Sequence, residues 1–303
     1  MSEPPFTPPP PTRPFEPTVV IVGVGLIGGS LAAALKARSV ARTVIGVGRD
    51  IARIGAAREA GLIDEATTDI RTVVDRADLI VFCTPVDRVP IDVLQLASTQ
   101  NGDLIANGPG LPLMTDVGSV KGPICNELAS VSRFIGSHPI AGSHRQGFEA
   151  ADANLFEGRT CVITPIPTSN ESSIDRLERF WRAVGMTTVR MSPAAHDDSL
   201  AMTSHLPHVV AAALAATLSE ENRRLTGSGF RDTTRVAEGD PKLWTGILMQ
   251  NSEFVVQGID RIIQQLSAYR AALESHEPVA VQKLLLEGQF SRAMLDRIQR
   301  GID

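Results

Sequence analysis

Cysteine is scarce in this chain. Cys83, Cys125 and Cys161 are the three present, and they lie far apart. Three scattered thiols are too few for a disulfide framework, and their spacing matches no zinc pattern, so a reduced, cytoplasmic setting is the expectation. An excess of positive charge is also missing. Asp and Glu number 34 against 29 Lys and Arg, a formal net charge of -5, which argues against nucleic acid or an anionic membrane surface as a partner. No run approaches the ~18 apolar residues expected of a membrane span, and the most apolar helical stretch carries His208. The first seventeen residues, MSEPPFTPPPPTRPFEP, lack the apolar centre of a signal peptide. Proline at that density predicts an extended, disordered tail over residues 1–17. What is there has the balance of a globular protein, 43% hydrophobic and 21% charged, over 303 residues. That length holds two domains with cores of their own.

Regular structure is expected to begin at Thr18. TVVIVGVGLIGGSLAAALKAR reads as a buried strand, a glycine turn and an amphipathic helix. TVIGVG from Thr43 is a second strand, followed by a helical stretch to about Ala60. DLIVFCTPV from Asp78, LMTDVGSV near Asp116 and RFIGSHP near His138 read as further strands ending in polar residues. Strands alternating with helices predict an α/β domain over residues 18–168, a Rossmann-type, parallel, doubly wound sheet. Beyond Thr168 a helical pattern runs from Ser172 through Trp181, then a short apolar stretch, MTTVRM, and almost continuous helix after Pro193. No strand pattern is evident there, so residues 169–303 are expected to form an all-helical domain. Large apolar faces on such a domain are commonly buried against a second copy, which predicts a homodimer.

Ligands of doubly wound sheets gather beyond the carboxyl ends of the strands. The glycine turn, Thr84, Asp116 to Ser119 and His138 all fall at such ends. Gly23-Val24-Gly25-Leu26-Ile27-Gly28 has the G-x-G-x-x-G spacing and stands between a strand and a helix, the context that gives it meaning. Gly23 allows the tight turn, Gly25 the approach of a pyrophosphate, and Gly28 close packing of helix on strand. The helix N-terminus then takes the phosphates, which predicts NAD(P). The end of the second strand reads Gly46-Val47-Gly48-Arg49-Asp50. Glycine stands where an acid would bind the ribose of NAD, and Arg49 follows, suited to a 2′-phosphate, so NADP is favoured. Asp50 keeps NAD open unless it serves only to cap the next helix.

The segment SHPIAGSHRQGFEAADANLFEGRTCVITP, Ser137 to Pro165, reads as a sharply turned loop that fixes one imidazole, His138. It closely resembles the signature loop of the prephenate and arogenate dehydrogenases. Asp116-Val117-Gly118-Ser119-Val120-Lys121 is similar to that family's D-x-G-S-x-K turn, and Ser204-His205-Leu206-Pro207-His208 to its S-H-L-P-H helix start. Gly229 to Ala237, with Asp240-Pro241 and Trp244, resembles its G-F-x-D-x-T-R-x-A block. These motifs span nearly the whole chain after Thr18, in the family's order.

The resemblance implies oxidative decarboxylation of prephenate, or of its amino analogue arogenate, in tyrosine biosynthesis. It assigns His138 to polarising the substrate hydroxyl, with Ser119 as a hydrogen-bond partner to the same group. A neutral imidazole suits that role near pH 7, and aromatisation of the ring supplies the driving force. A dianionic substrate needs cationic anchors, and Arg235 can grip a carboxylate bidentately. Ser204 and His208, four apart, share a helical face and can jointly meet the substrate. His205 lies on another face, either structural or near the cofactor. His196-Asp197-Asp198 raises the thought of a metal, but the reaction needs none and the ligand spacing is incoherent. One departure stands out. The family often has glutamate six residues after the catalytic histidine, and this chain has His144. The stretch NGPGLPL, residues 107–113, looks longer than usual. More distant readings are another two-domain dehydrogenase, whose catalytic lysine segment is not visible here, and a non-catalytic NADP-sensing protein, which would not require Ser119, His138 and Arg235 together.

Overall fold

A computed structural model of the chain describes residues 15–97, 112–142 and 145–299. Most of the proline-rich tail, residues 107–111 of the long stretch before Asp116, and His144 lie outside the described residues. The first strand, β1 (Glu16–Val22), starts earlier than Thr18. Glu16 is 1% exposed and receives an Arg176 Nε hydrogen bond of 2.8 Å, and Phe15 packs on the core, so residues 15–17 belong to the folded unit rather than the tail.

After β1 come α1 (Leu26–Ala37), β2 (Ala41–Val47), α2 (Ile51–Glu59), β3 (Glu65–Thr67), β4 (Leu79–Phe82), α3 (Val89–Ala97) and β5 (Leu113–Asp116). The five strands form one sheet in the order β3-β2-β1-β4-β5, every pair parallel. Its central strands are apolar without alternation, Val19-Val20-Ile21 and Leu79-Ile80-Val81-Phe82 all being fully buried, because both faces are covered. The strand order reverses between β1 and β4, and the crevice at that switch point lies beside the glycine turn.

A short helix, α4 (Gly122–Glu127), leads to a second sheet made of β6 (Gly136–Pro139), β7 (Thr160–Thr164) and β8 (Thr187–Arg190). Here the structure departs from the expected pattern three times. His138 sits within β6, opposite Val162 of β7, rather than in a turned loop. The β6 strand does not extend the parallel sheet but runs antiparallel to β7. The ladder begun by Ile135 N–H to Met114 O (3.0 Å) passes to a side chain at the next step, Ser137 N–H donating to Asp116 Oδ1 (3.2 Å). A carboxylate there replaces the carbonyl that would have continued the sheet. Finally, β8 is a strand beyond Thr168, parallel to β7, so a boundary at residue 168 would fall between two strands of one sheet.

Between β7 and β8, α5 (Glu171–Ala183) is capped by Asn170, which accepts Ser173 N–H at 2.9 Å. Its buried stripe is Ile174, Leu177, Phe180 and Trp181. The remainder is helical: α6 (Pro193–Leu200), a π-helical turn over Ala201–His205, α7 (Leu206–Ala216), α8 (Ser228–Thr234), a 3-10 turn over Arg235–Glu238, α9 (Pro241–Gln250), α10 (Ser252–Glu274) and α11 (Pro278–Gln299). Pro207 has no N–H to give the helical ladder, and the π-turn before it absorbs the break. The chain divides into two compact units, residues 1–252 and 253–303. By length and composition Pro193–Ala216 is the one described helical run apolar enough to cross a bilayer. Its buried polar side chains His196, Asp197, His205 and His208 are committed to the interior of the first unit.

Candidate active site

The glycine turn has the shape a pyrophosphate requires. Gly23 has φ +95°, and a Cβ there would lie 2.8 Å from the Cys83 carbonyl oxygen, so this turn touches the end of β4, next to Thr84. A Cβ on Gly28 would come within 2.1 Å of the Gly23 oxygen, whereas one on Gly25 would meet nothing within 4 Å. The first turn of α1 has no side-chain cap, leaving its N–H groups and the positive end of the helix dipole open, with Leu26 and Ile27 at the first helical positions. Thr84 donates its hydroxyl to Asp92 at 3.0 Å. Past β2, Asp50 is engaged as the cap of α2, accepting Ala52 N–H at 2.9 Å and Arg53 N–H at 3.3 Å. Arg49 is exposed and has no partner among the described residues.

The second part of the site grows from the end of β5. Asp116 and Lys121 are both fully buried and paired, and Lys121 Nζ also donates to the Ser137 carbonyl at 3.0 Å. Asp116 further accepts Gly118 N–H at 2.8 Å. These bonds fix the turn that carries Ser119 against the strand that carries His138. Ser119 is half-buried, and its hydroxyl has no hydrogen bond among the described residues. Behind β6, Ser137 Oγ accepts the indole N–H of the fully buried Trp181 at 3.1 Å.

His138 is 8% exposed, and its Nδ1 lies 2.8 Å from Nε2 of His196 on α6. His196 Nδ1 in turn lies 2.7 Å from Asp197 Oδ1. Asp197 also accepts the backbone N–H of Lys121 (2.8 Å) and of Gly122 (2.7 Å), the residues just past Ser119. Burial pushes His138 well below the ordinary histidine range, and the neighbouring His196, Lys121 and His205 add to the effect. It is a neutral imidazole near pH 7, and its Nε2 is not hydrogen-bonded to any described residue.

The helical segments contribute unevenly. Asn251 Nδ2 donates to His205 Nδ1 (3.0 Å) and to the Asp197 carbonyl (2.8 Å), leaving His205 Nε2 buried without a partner among the described residues. His208 stacks on Trp244, ring centroids 3.6 Å apart and 14° from parallel, and His205 meets the same indole edge-on at 6.2 Å. His205 and His208, three apart and so on one side of the helix, thus meet the same indole. Ser204 is half-buried on the π-turn. Arg235 is exposed, forms no ion pair with Asp232, and lines a groove of about 500 Å³ with Arg223, Arg231 and Glu238. The structure joins His138 to His196, Asp197 and the Ser119 turn. It does not bring Arg235 into contact with them. Among the described residues there is no group of three or more His, Cys, Asp or Glu arranged to hold a metal. His196, which the sequence offered with Asp197 only as a metal candidate, is a hydrogen-bond partner of His138, and Asp197 is in turn a partner of His196.

Residues 31–190 match the family described as prephenate dehydrogenase, nucleotide-binding domain, and residues 192–286 match prephenate dehydrogenase, dimerization domain. A prephenate dehydrogenase of Bacillus subtilis is 32% identical over 270 residues, covering 86% of this chain and 71% of the relative. The crystal structure of Aquifex aeolicus prephenate dehydrogenase in complex with hydroxyphenyl propionate and NAD+ has a TM-score of 0.83 at 31% identity, covering 92% of this chain and 98% of that one. Synechocystis arogenate dehydrogenase gives 0.78 at 30% identity, covering 92% and 99%. Two matches that meet near residue 191, in the order of the sheets and helices they cover, place the chain in the prephenate dehydrogenase family.

Proposed function

We propose that the chain catalyses the oxidative decarboxylation of prephenate to 4-hydroxyphenylpyruvate, with a nicotinamide dinucleotide, in tyrosine biosynthesis. The observation that carries this reading is His138, a buried neutral imidazole, tied to a turn that carries Ser119, with neither His138 Nε2 nor the Ser119 hydroxyl engaged by any described residue. Gly23, Gly25 and Gly28 with the first turn of α1, and Thr84 beside them, would hold the dinucleotide, whose nicotinamide accepts a hydride when bound. His138 Nε2 takes the hydroxyl proton as hydride leaves the carbinol carbon, while Ser119 orients the same oxygen. The ring carboxylate then departs as carbon dioxide, its bonding electrons completing the aromatic ring. His138 returns the proton to the phenolate oxygen, so no net proton is gained or lost. Arg235 is assigned to a substrate carboxylate, its guanidinium having no partner among the described residues, and Ser204 and His208 to the substrate side chain. Prephenate is preferred because the second histidine of S-H-L-P-H, His208, is present.

Arogenate is the second reading, favoured by the similarity to an enzyme named for that substrate. NADP is preferred over NAD because Asp50 is spent on the α2 cap and Arg49 is not engaged by any described residue. The helical region is assigned to a homodimer, in keeping with the dimerization description of residues 192–286. Steady-state assays with prephenate and arogenate, each with NAD and NADP, test the set. Turnover of prephenate with a higher kcat/KM for NADP is expected, and Arg49→Gln should erase that nucleotide preference. His138→Asn should lower kcat by about 10²–10⁴-fold with dinucleotide affinity unchanged. Absence of reduced nicotinamide with both substrates would sink the activity.

A further inference from the structure

We propose that His196 and Asp197 are positioning residues that fix the tautomer of His138, so that its Nδ1 carries the proton and its Nε2 stays bare for the substrate hydroxyl. The inference rests on the activity proposed above and extends it to two residues that touch no substrate. The direction of the hydrogen bonds follows from the far end of the chain of contacts. Asp197 is 2% exposed and meets three donors: Oδ1 accepts Lys121 N–H and His196 Nδ1–H, and Oδ2 accepts Gly122 N–H. A backbone N–H can only donate, so both oxygens are held as acceptors, and Oδ1, which meets two donors, could carry a proton only by displacing one of them. His196 must therefore present Nδ1–H to Asp197. In its neutral form Nε2 then bears a lone pair, and the 2.8 Å contact to His138 Nδ1 requires the proton to sit on His138 Nδ1. The opposite polarity would set a bare His196 Nδ1 against a carboxylate oxygen at 2.7 Å, lone pair against lone pair.

A doubly protonated His196 is the remaining way to reverse the last bond. The groups facing it are the Lys121 ammonium, the Asp116 and Asp197 carboxylates, His138 and His205. Burial is the largest influence on His196, and it favours the neutral ring despite the help of Asp197. The same carboxylate grips the two backbone amides that follow Ser119 by two and three positions, so one α6 residue sets the acceptor nitrogen and the serine turn together. During turnover the proton borrowed by Nε2 makes His138 an imidazolium, its Nδ1–H still donating to His196. The Asp197 charge faces that cation across a neutral ring, and the proton returns by the path it came.

Nitrogen-15 labelling of the histidines, with long-range correlation to the ring carbon protons, reads the tautomer directly, and His138→Asn identifies the signals. A protonated Nδ1 and a bare Nε2 on His138 are expected in the wild type. His196→Phe, which removes the acceptor, should scramble that tautomer and lower kcat by about 10²-fold or more, leaving dinucleotide affinity unchanged. His196→Gln can offer its amide oxygen to His138 and its NH2 to Asp197, and should recover about tenfold or more of the lost kcat. A bare Nδ1 on wild-type His138 overturns the proposal even where the variants fail to fold, as does an unchanged kcat in His196→Phe. If the wild type turns over neither substrate, the activity is lost, and the ring-nitrogen signals still decide the relay.

Discussion

Four imidazoles, His138, His196, His205 and His208, are buried in one region, and burial is the largest cause holding each below the ordinary histidine pKa, His205 at about 4. In the unfolded chain these rings titrate near 6.5. Between that value and the lower folded values the unfolded state binds more protons, so stability rises with pH across the window. The stabilisation is complete above about pH 6.5 and is lost as pH falls towards about 4, His205 alone contributing roughly 3 kcal/mol. The melting temperature should therefore fall on acidification through this range, and the fall should be shallower in His205→Gln. A melting temperature that is flat from neutral pH down to about 5 would remove the argument. At this scale the sequence carried some residues and hid others. Ser119 and His138 were legible because each stands inside a short local motif. The partnership of His138 with His196 joins residues 58 positions apart, and it depends on α6 packing against β6 and the Ser119 turn. No local spacing encodes that, so His196-Asp197 read only as a poor metal candidate.

Elements show the same division between local and distant information. The strand, glycine turn and helix from Thr18 to Ala37 were readable because every requirement is met within one stretch, and the structure gives each glycine a separate duty. Gly28→Ala places a methyl carbon 2.1 Å from a backbone oxygen, so it should lower the melting temperature by forcing β1 and α1 apart, at a cost of about 1–3 kcal/mol or more. Gly25→Ala meets no protein atom within 4 Å, so its melting temperature should match the wild type. Its dinucleotide Kd should rise about tenfold, the equivalent of one hydrogen bond of ~1.4 kcal/mol. Calorimetry and nucleotide titration separate the two variants, and equal behaviour in both assays would contradict this division of labour. The second sheet was less legible. RFIGSHP has the apolar run of a sheet strand, but its partner is chosen at Asp116, whose carboxylate takes the Ser137 amide and ends the parallel ladder. MTTVRM contains β8, four residues of which Thr188 is half-buried and the other three are exposed, so neither length nor burial pattern announced a strand.

The whole molecule carries more exposed apolar surface than a lone chain in water sustains. On α10, Val256, Ile263, Leu266 and Leu273 are each more than half exposed, and their spacing of seven, three and seven residues puts them on one face of the helix. On α11, Val279, Leu286 and Phe290 are 76%, 53% and 67% exposed at spacings of seven and four. A pair of helices bearing such faces has no stable reason to remain uncovered, and the proposed homodimer supplies the cover. Burying a leucine side chain contributes about 1.5–3 kcal/mol. A two-fold dimer carries each substitution twice, so Leu266→Glu should cost about 3–6 kcal/mol of association, raising the dimer Kd by roughly 10²–10⁴-fold. Light scattering behind a sizing column, run over a range of protein concentrations, should find the wild type dimeric and Leu266→Glu largely monomeric. Circular dichroism of that variant should keep the signal of residues 1–252, whose core does not include Leu266. A wild type that stays monomeric at the highest concentrations would refute the dimer, and the exposed stripes of α10 and α11 would then need another partner.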